Sequence, residues 1–407
     1  MSKLYCGIDW SERHHDVAII DQDGGLISKQ RIPDTAEGFT QLLALLAAAG
    51  DRADQLIPVA IETPRGLMVA AIRATGRPLY PINPMAVARY RDRHAVSRGK
   101  SDHGDALVLA NILRTDEHVH RVVPDDSELA RQIAVLARAH QDATWRRARA
   151  SNELRSVLRE FYPNFLDAFA GHQDFLISAD ARAVLAIAPT PAAATKLTHA
   201  RVAAALRRGG RQRHIDERAG HYLAVLRRNQ LRQQPLVEAA YGDHILALLA
   251  TLNAEDTNVD RLGRTCAQAF AQHPDYEIIT SFPGLGDQAG ARILAEVGDD
   301  RHRFADARAL RAYAGSAPIT RASGRSLSIT HRRIKNDRLA AVGFMWAFSA
   351  SSRAGGAKDH YRRRRDTHGD HHAAATRHLF NRLLGCLYHC LQTRELFDPD
   401  KAFTTTT

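Results

Sequence analysis

Apolar positions in the first third of the chain recur at two periods. Short apolar runs cover Leu4 to Asp9, His15 to Ile20 and Leu26 to Ile32, and Gln22-Asp23-Gly24-Gly25 between the last two has the composition of a tight turn. This spacing predicts an antiparallel meander of three strands. From Thr35 the period lengthens: Phe39, Leu42, Leu43, Leu45 and Leu46 make a helical stripe, with Glu37 and Gly38 in its first turn and Gly50 as its stop. Then follow a strand Ile57 to Ile61, a helix Gly66 to Ala74 ended by Gly76, a strand Pro78 to Ile82, and a long helix from Pro84 towards Arg114. Three strands followed by alternating helix and strand predict a ribonuclease-H-like α/β domain over residues 1–125.

Beyond it the pattern is helical. Leu129, Ile133, Leu136, His140 and Ala143, then Leu154, Leu158 and Phe161, fall at three- and four-residue steps in a long helix that Pro163 ends. Residues 165–272 are rich in Ala, Leu and Arg without a strand signal, so 126–272 is expected to be a helical, coiled-coil-like oligomerisation arm, although its heptads are irregular. From Tyr276, the segment Ile278 to Gly286 followed by Ala291, Ile293, Leu294 and Val297 has the form of a helix-hairpin-helix. There Gly284 and Gly286 permit a turn that aims backbone N–H groups and a helix N-terminus at a DNA phosphate; an ordinary interhelical turn has the same composition. This opens a mainly helical third domain, 273–407.

Four carboxylates stand out against this plan. Asp9 and Glu62 each close a predicted strand, and Asp102 and Asp105 lie three apart, on one face of the predicted helix. Two strand ends and a helix face can gather such oxygen ligands around Mg²⁺ or Mn²⁺, which activates a nucleophile and neutralises a phosphodiester. Read singly, each acid also suits a solvated strand or helix end. At the first strand a proofreading-type exonuclease carries Asp-x-Glu, whereas Asp9 is followed by Trp10-Ser11-Glu12, which points to the Holliday-junction-resolvase, or RuvC-like, branch.

Charge agrees with a polyanionic partner. The 407 residues carry a net +11, and of 56 basic side chains only seven are Lys, leaving Arg, whose planar fork pairs bidentately with phosphate. An Arg bias also follows from a GC-rich genome. No run of eighteen apolar residues and no charged-then-apolar leader occurs, so the chain is expected in the cytoplasm, off the membrane. Cys386 and Cys390 sit four apart in a helical pattern with His389, and without a second ligand pair they read as packed thiols rather than a zinc site.

The four acids, Arg98-Gly99-Lys100-Ser101-Asp102-His103-Gly104-Asp105-Ala106, and the later Phe282-Pro283-Gly284-Leu285-Gly286, Arg303-Phe304, Ala312-Tyr313-Ala314-Gly315 and Ala322-Ser323-Gly324 together resemble insertion-sequence transposases with a DEDD RuvC-like domain and a distinct C-terminal transposase domain. The resemblance covers nearly the whole chain; residues 165–272 share only helical character and run longer. It implies a recombinase guided by a noncoding RNA that pairs with donor and target DNA, in which a C-terminal serine attacks DNA covalently. By match that serine is Ser323, with Ser326 and Ser316 as competing positions. The resemblance further implies a homo-oligomer, a dimer or tetramer. Arg98, Lys100, Arg321 and Arg325 flank the two sets of catalytic residues, and Arg332, Arg333 and Lys335 match the family's basic stretch, so all are expected at nucleic acid. Tyr361 precedes four arginines, Arg362 to Arg365.

Two other functions fit parts of this pattern. A RuvC-type endonuclease would hydrolyse with two metals and use the C-terminal part only to hold DNA. A noncatalytic helix-hairpin-helix protein would need no acids, and packing like charges without a cation is unfavourable.

Overall fold

The meander forms as β1 (Tyr5–Trp10), β2 (His14–Ile20) and β3 (Leu26–Pro33). After it come α1 (Ala36–Ala49), β4 (Val59–Ile61), α2 (Leu67–Ala74), β5 (Leu79–Pro81), α3 (Pro84–His94) and α4 (Asp102–Asp116). The computed structural model describes residues 3–94, 102–171, 175–324, 326–330, 332–353 and 355–403. Contacts divide the chain into two units, Met1–Asp125 and Asp126–Thr407.

In the first unit the strand order is β3-β2-β1-β4-β5, with β1 antiparallel to β2 and parallel to β4. Side chains alternate across the sheet. Cys6, Ile8, Val17, Ile19, Val59 and Ile61 pack with Leu42 and Leu46 of α1 and Val69 and Ile72 of α2. On the opposite face Tyr5, Ile20 and Ala60 pack with Leu109, Ala110 and Leu113 of α4. Thr35 caps α1 by accepting from the Gly38 amide, and Gly50, at φ 108°, ends it.

The edges depart from the sequence pattern in two places. β4 begins at Val59 rather than Ile57, because Pro58 has no N–H for the ladder and the Ile57 amide donates to Asp51 Oδ1 at 2.6 Å. The single helix expected from Pro84 towards Arg114 is described as two, α3 and α4; residues 95–101 between them lie outside the described residues.

The second unit starts with α5 (Glu128–Phe161), followed by α6 (Pro163–Ala168), α7 (Ala179–Ile187), α8 (Pro191–Thr195), α9 (His199–Arg208), α10 (Ile215–Leu226) and α11 (Pro235–Phe270). Arg147 pairs with Asp256, Arg146 with Glu255, and the Tyr241 hydroxyl donates to Glu160, so α5 and α11 run antiparallel. Of the arm expected over 126–272, these two are the long helices. The five shorter helices fold back on them around Phe165, Phe169, Leu206 and Tyr222, a core that an extended coiled coil lacks.

The rest of the unit comprises α12 (Tyr276–Thr280), α13 (Asp287–Val297), α14 (Ala307–Tyr313), β6 (Ile319–Ser323), β7 (Ser326–Thr330), α15 (Asp337–Ser352), α16 (Gly356–Asp366), α17 (His372–Thr393) and α18 (Pro399–Phe403). Its core joins Ile133 and Ala137 of α5 and Cys266 and Phe270 of α11 to Leu294, Trp346 and Leu383. Buried Glu296 ties three segments together, taking Arg138 Nε at 2.8 Å and Asn336 Nδ2 at 2.7 Å. No helix among the described residues is long and apolar enough to cross a membrane.

Candidate active site

Register brings two of the acids to the ends of neighbouring strands. Parallel pairing matches Cys6 with Val59, Gly7 with Ala60 and Ile8 with Ile61, so Asp9 and Glu62 are the next residue on each chain, Glu62 in the bend that follows β4. Alternation from Tyr5 and Gly7 directs Asp9 to the α4 face of the sheet.

A third acid lies in this row that the sequence pattern did not single out. Asp16 is the antiparallel partner of Asp9, and directly opposed residues share a face. It is 4% exposed and held by Arg31, its own partner on β3, through Nε at 3.0 Å and Nη2 at 2.8 Å. The charges therefore run Arg31, Asp16, Asp9 across three paired strands, with Glu62 just past the end of the fourth. Strand alternation was the available signal for Asp16, but reading it requires the register.

Helix α4 brings the second pair of acids to this face. A Cβ on Gly7 would lie 2.0 Å from the Ala106 carbonyl oxygen and 2.5 Å from the Ala110 amide, so only glycine lets α4 lie this close to β1. That contact is one residue past Asp105 on the helix and two before Asp9 on the strand. Asp105 is buried, and its Oδ1 is 2.7 Å from Arg91 Nη2 of α3. Asp102 is the first residue of α4, and its side chain lies outside the described residues. The donors are all carboxylates, the chemistry a hard divalent cation prefers. Among the described residues no three His, Cys, Asp or Glu side chains meet in metal-holding geometry, and Arg91 supplies a positive charge to Asp105 instead.

Ser323 is not in a loop. The segment pairs as the hairpin β6–β7, in which Ser323 faces Ser326 at the last paired position before the turn. Gly324, at φ 55°, opens that turn, a conformation glycine adopts without strain. Both serines are exposed. Ser316 is 3% exposed; its Oγ donates to the Arg311 carbonyl and accepts from Asn381, so a substrate cannot reach it. The signal for the hairpin was the polar–apolar alternation of Ser326-Leu327-Ser328-Ile329-Thr330 after Gly324.

Comparison with known proteins places both units. A family profile described as Transposase, of the DEDD type named for IS110, matches residues 6–163, and one described as Transposase IS116/IS110/IS902 family matches residues 276–362. The "Mini-circle putative transposase for IS117" of Streptomyces coelicolor is 56% identical over 400 residues, 98% of this chain and 96% of that protein. The chain belongs to the IS110/IS116 transposase family. The insertion element IS116 uncharacterized 44.8 kDa protein of Streptomyces clavuligerus is 29% identical over 99% of this chain and 98% of its own length. The insertion element IS900 uncharacterized 42 kDa protein of Mycobacterium paratuberculosis is 26% identical over 97% of each chain.

In this transposase several motif residues have packing roles. Gly284, at φ 85°, sits where a Cβ would be 2.9 Å from the Ala350 amide, and Trp346 Nε1 donates to the Pro283 carbonyl, so the turn between α12 and α13 is set into α15. Gly286 caps α13, whose first turn already holds the Asp287 carboxylate, bonded by the Tyr276 hydroxyl at 2.9 Å. A phosphate there would meet that negative charge. Gly315 accommodates the stem of Lys335, a Cβ being 2.2 Å from its Cδ, while Lys335 Nζ pairs with Asp337 at 2.9 Å.

Among the other basic positions, Arg332 is half-buried and Arg333 exposed. Arg98, Lys100 and Arg325 lie outside the described residues, as does the side chain of Arg321. Cys386 and Cys390 line a cleft with Arg311 and Arg382 on one side of α17; burial pushes the Cys390 thiol up to about 11, while His389 points to solvent near Glu395.

Proposed function

We propose that the transposase cuts and rejoins DNA with a RuvC-like acidic centre, Asp9, Glu62, Asp102 and Asp105, that holds Mg²⁺ or Mn²⁺. The observation that supports this reading is the parallel pairing of β1 with β4, which each run directly into an acid, Asp9 and Glu62, with Asp105 in the first turn of α4 against β1. A bound divalent cation there supplies charge neutralisation of the phosphodiester. The chain's own residues set the frame. Gly7 holds α4 close, and Arg31 neutralises Asp16 so that the acids beside it repel less.

Ser323 is the nucleophile in this reading, supported by its exposure at the hairpin tip and by the family resemblance. Attack forms an Oγ–phosphorus bond as the phosphorus–oxygen bond to the leaving sugar breaks. The hydroxyl loses a proton and the leaving oxygen gains one. The bond energy stays in the phosphodiester and is available for rejoining.

The same resemblance supports a noncoding guide RNA beside donor and target DNA, and the +11 charge suits both polyanions. Leu231 and Leu236, 93% and 87% exposed near the start of α11, support pairing with a second copy. Phosphate contacts by Arg98, Lys100, Arg321, Arg325, Arg332, Arg333 and Lys335 belong to this reading as well, whereas in it Gly284 packs the turn between α12 and α13 and Gly286 caps α13.

The test is strand cleavage by Asp9→Asn and Asp105→Asn proteins with the element's own DNA. Cleavage should be lost with nucleic-acid binding retained. Cleavage by Asp9→Asn at the wild-type rate would remove the acidic centre.

A further inference from the structure

An aromatic cluster stands on the surface of the second unit, remote in sequence from the hairpin serines. Phe344, Met345 and Phe348 fall on one stripe of α15 and are 41%, 61% and 46% exposed. Three rings surround the exposed His372 edge-on: Phe344 at 6.1 Å and 87°, Phe348 at 6.0 Å and 89°, and Tyr361 at 5.8 Å and 73°. The Tyr361 hydroxyl and His372 Nδ1 share a hydrogen bond of 2.8 Å, which fixes the two rings relative to each other.

The cluster is bordered by positive charge. On α16, Lys358 and Arg365 are three and four residues from Tyr361 and so share its helix face, and Arg362 adjoins it. Arg364 pairs with the Asp370 carboxylate and Arg365 Nη1 donates to the Asp370 carbonyl at 2.7 Å; Arg362 and Arg365 are exposed. From Arg353 to His378 the chain carries seven Lys and Arg against three Asp. Exposed aromatic faces alone would suit a second copy of the chain or another apolar partner. Rings bordered by arginines suit nucleotides, because base and phosphate are then matched together. A duplex hides its base faces, so the bases must be unpaired.

We propose that Phe344, Phe348, Tyr361 and His372 form a stacking platform for unpaired DNA bases, with Arg362 and Arg365 taking the adjoining phosphates. Choosing DNA rests on the proposed reading that this transposase cuts DNA, which exposes unpaired strands. The platform supplies a second contact for such a strand, independent of the acids and of Ser323.

The test is equilibrium binding of the full-length protein, without divalent cation, to a fluorescent single-stranded DNA, the same sequence as duplex, and the same sequence as RNA. Phe344→Ala/Phe348→Ala should weaken single-stranded DNA binding by roughly ten-fold or more, with the salt dependence kept and duplex binding little changed. Phe344→Tyr/Phe348→Tyr should restore it. Arg362→Gln/Arg365→Gln should instead flatten the salt dependence. The proposal is overturned if the alanine variant binds single-stranded DNA like wild type, if duplex binding falls equally, if only RNA binding falls, or if the variant changes oligomeric state instead. Binding is read without cleavage, so an active Asp9→Asn protein would defeat the acidic centre and leave this result standing.

Discussion

Arg91 Nη2 lies 2.7 Å from Asp105 Oδ1, joining α3 to α4 beside the acidic end of the sheet. The guanidinium therefore provides a positive charge where the proposed centre would hold a cation. Replacing Arg91 with Ala removes a half-buried ion pair, expected to cost about 1–2 kcal/mol. The same change should strengthen the response to Mg²⁺ or Mn²⁺, because the carboxylate loses its resident partner. Thermal unfolding with and without cation checks both: a lower Tm for Arg91→Ala alone, and a larger cation-induced rise than in wild type. Equal rises would show that Arg91 and the cation do not compete.

Gly7→Ala tests the sheet-to-helix distance. The new Cβ would meet the Ala106 carbonyl oxygen at 2.0 Å, so α4 must move, at a cost of about 1–3 kcal/mol or more. Cleavage should fall sharply although no acid has changed, and a denaturation midpoint should fall with it. Wild-type cleavage by a stably folded Gly7→Ala protein would mean that α4 has no part in placing the acids.

Ser323→Ala should keep nucleic-acid binding and lose the covalent protein–DNA species that survives denaturant, together with recombination. Cross-strand pairing puts a second hydroxyl, that of Ser326, on the same face of the hairpin. A residual adduct in Ser323→Ala that disappears in Ser323→Ala/Ser326→Ala would move the nucleophile to Ser326. If wild type forms no adduct, hydrolysis by a two-metal centre replaces the serine pathway.

Two histidines should make stability depend on pH. Burial, then the Arg292 and Arg147 charges, hold His140 down at about 4, and burial with Arg363 and Arg382 does the same to His360. The unfolded chain takes up protons near the ordinary histidine value of about 6.5, which the folded chain refuses until about 4. Stability from these groups is therefore full above that window and falls as pH drops through it. His360→Phe, beside Phe403, should flatten part of the decline in Tm between pH 6.5 and 4. An unchanged slope would assign the decline to other groups.

How much of the acidic centre could be read beforehand depended on backbone order. Asp9 and Glu62 close apolar runs, and once the strands are assigned their proximity follows from parallel pairing. Asp16 was hidden because a charged residue inside an apolar run has meaning only when its cross-strand partners, Asp9 and Arg31, are known. The Ala-rich middle was legible as helix but not as five separate helices. Its punctuation was nevertheless present in the side chains of Ser178, Thr190 and Thr198, each of which caps a helix. Gly284 was ambiguous for another reason: it suits a phosphate-facing turn by composition, and only the structure shows Ala350 and Ser349 filling the space beside it.

The paired helices α5 and α11 pass through both cores of the second unit. Ile133 and Cys266 belong to one, Leu154 and Leu249 to the other. At 34 and 36 residues they make a strut about 50 Å long, anchored by packed side chains at each end. Two helices packed side by side resist bending more than either would alone. The strut is therefore a direct mechanical link from the α7–α10 end to the end that carries α13 and α15, both of which are built on the same two helices.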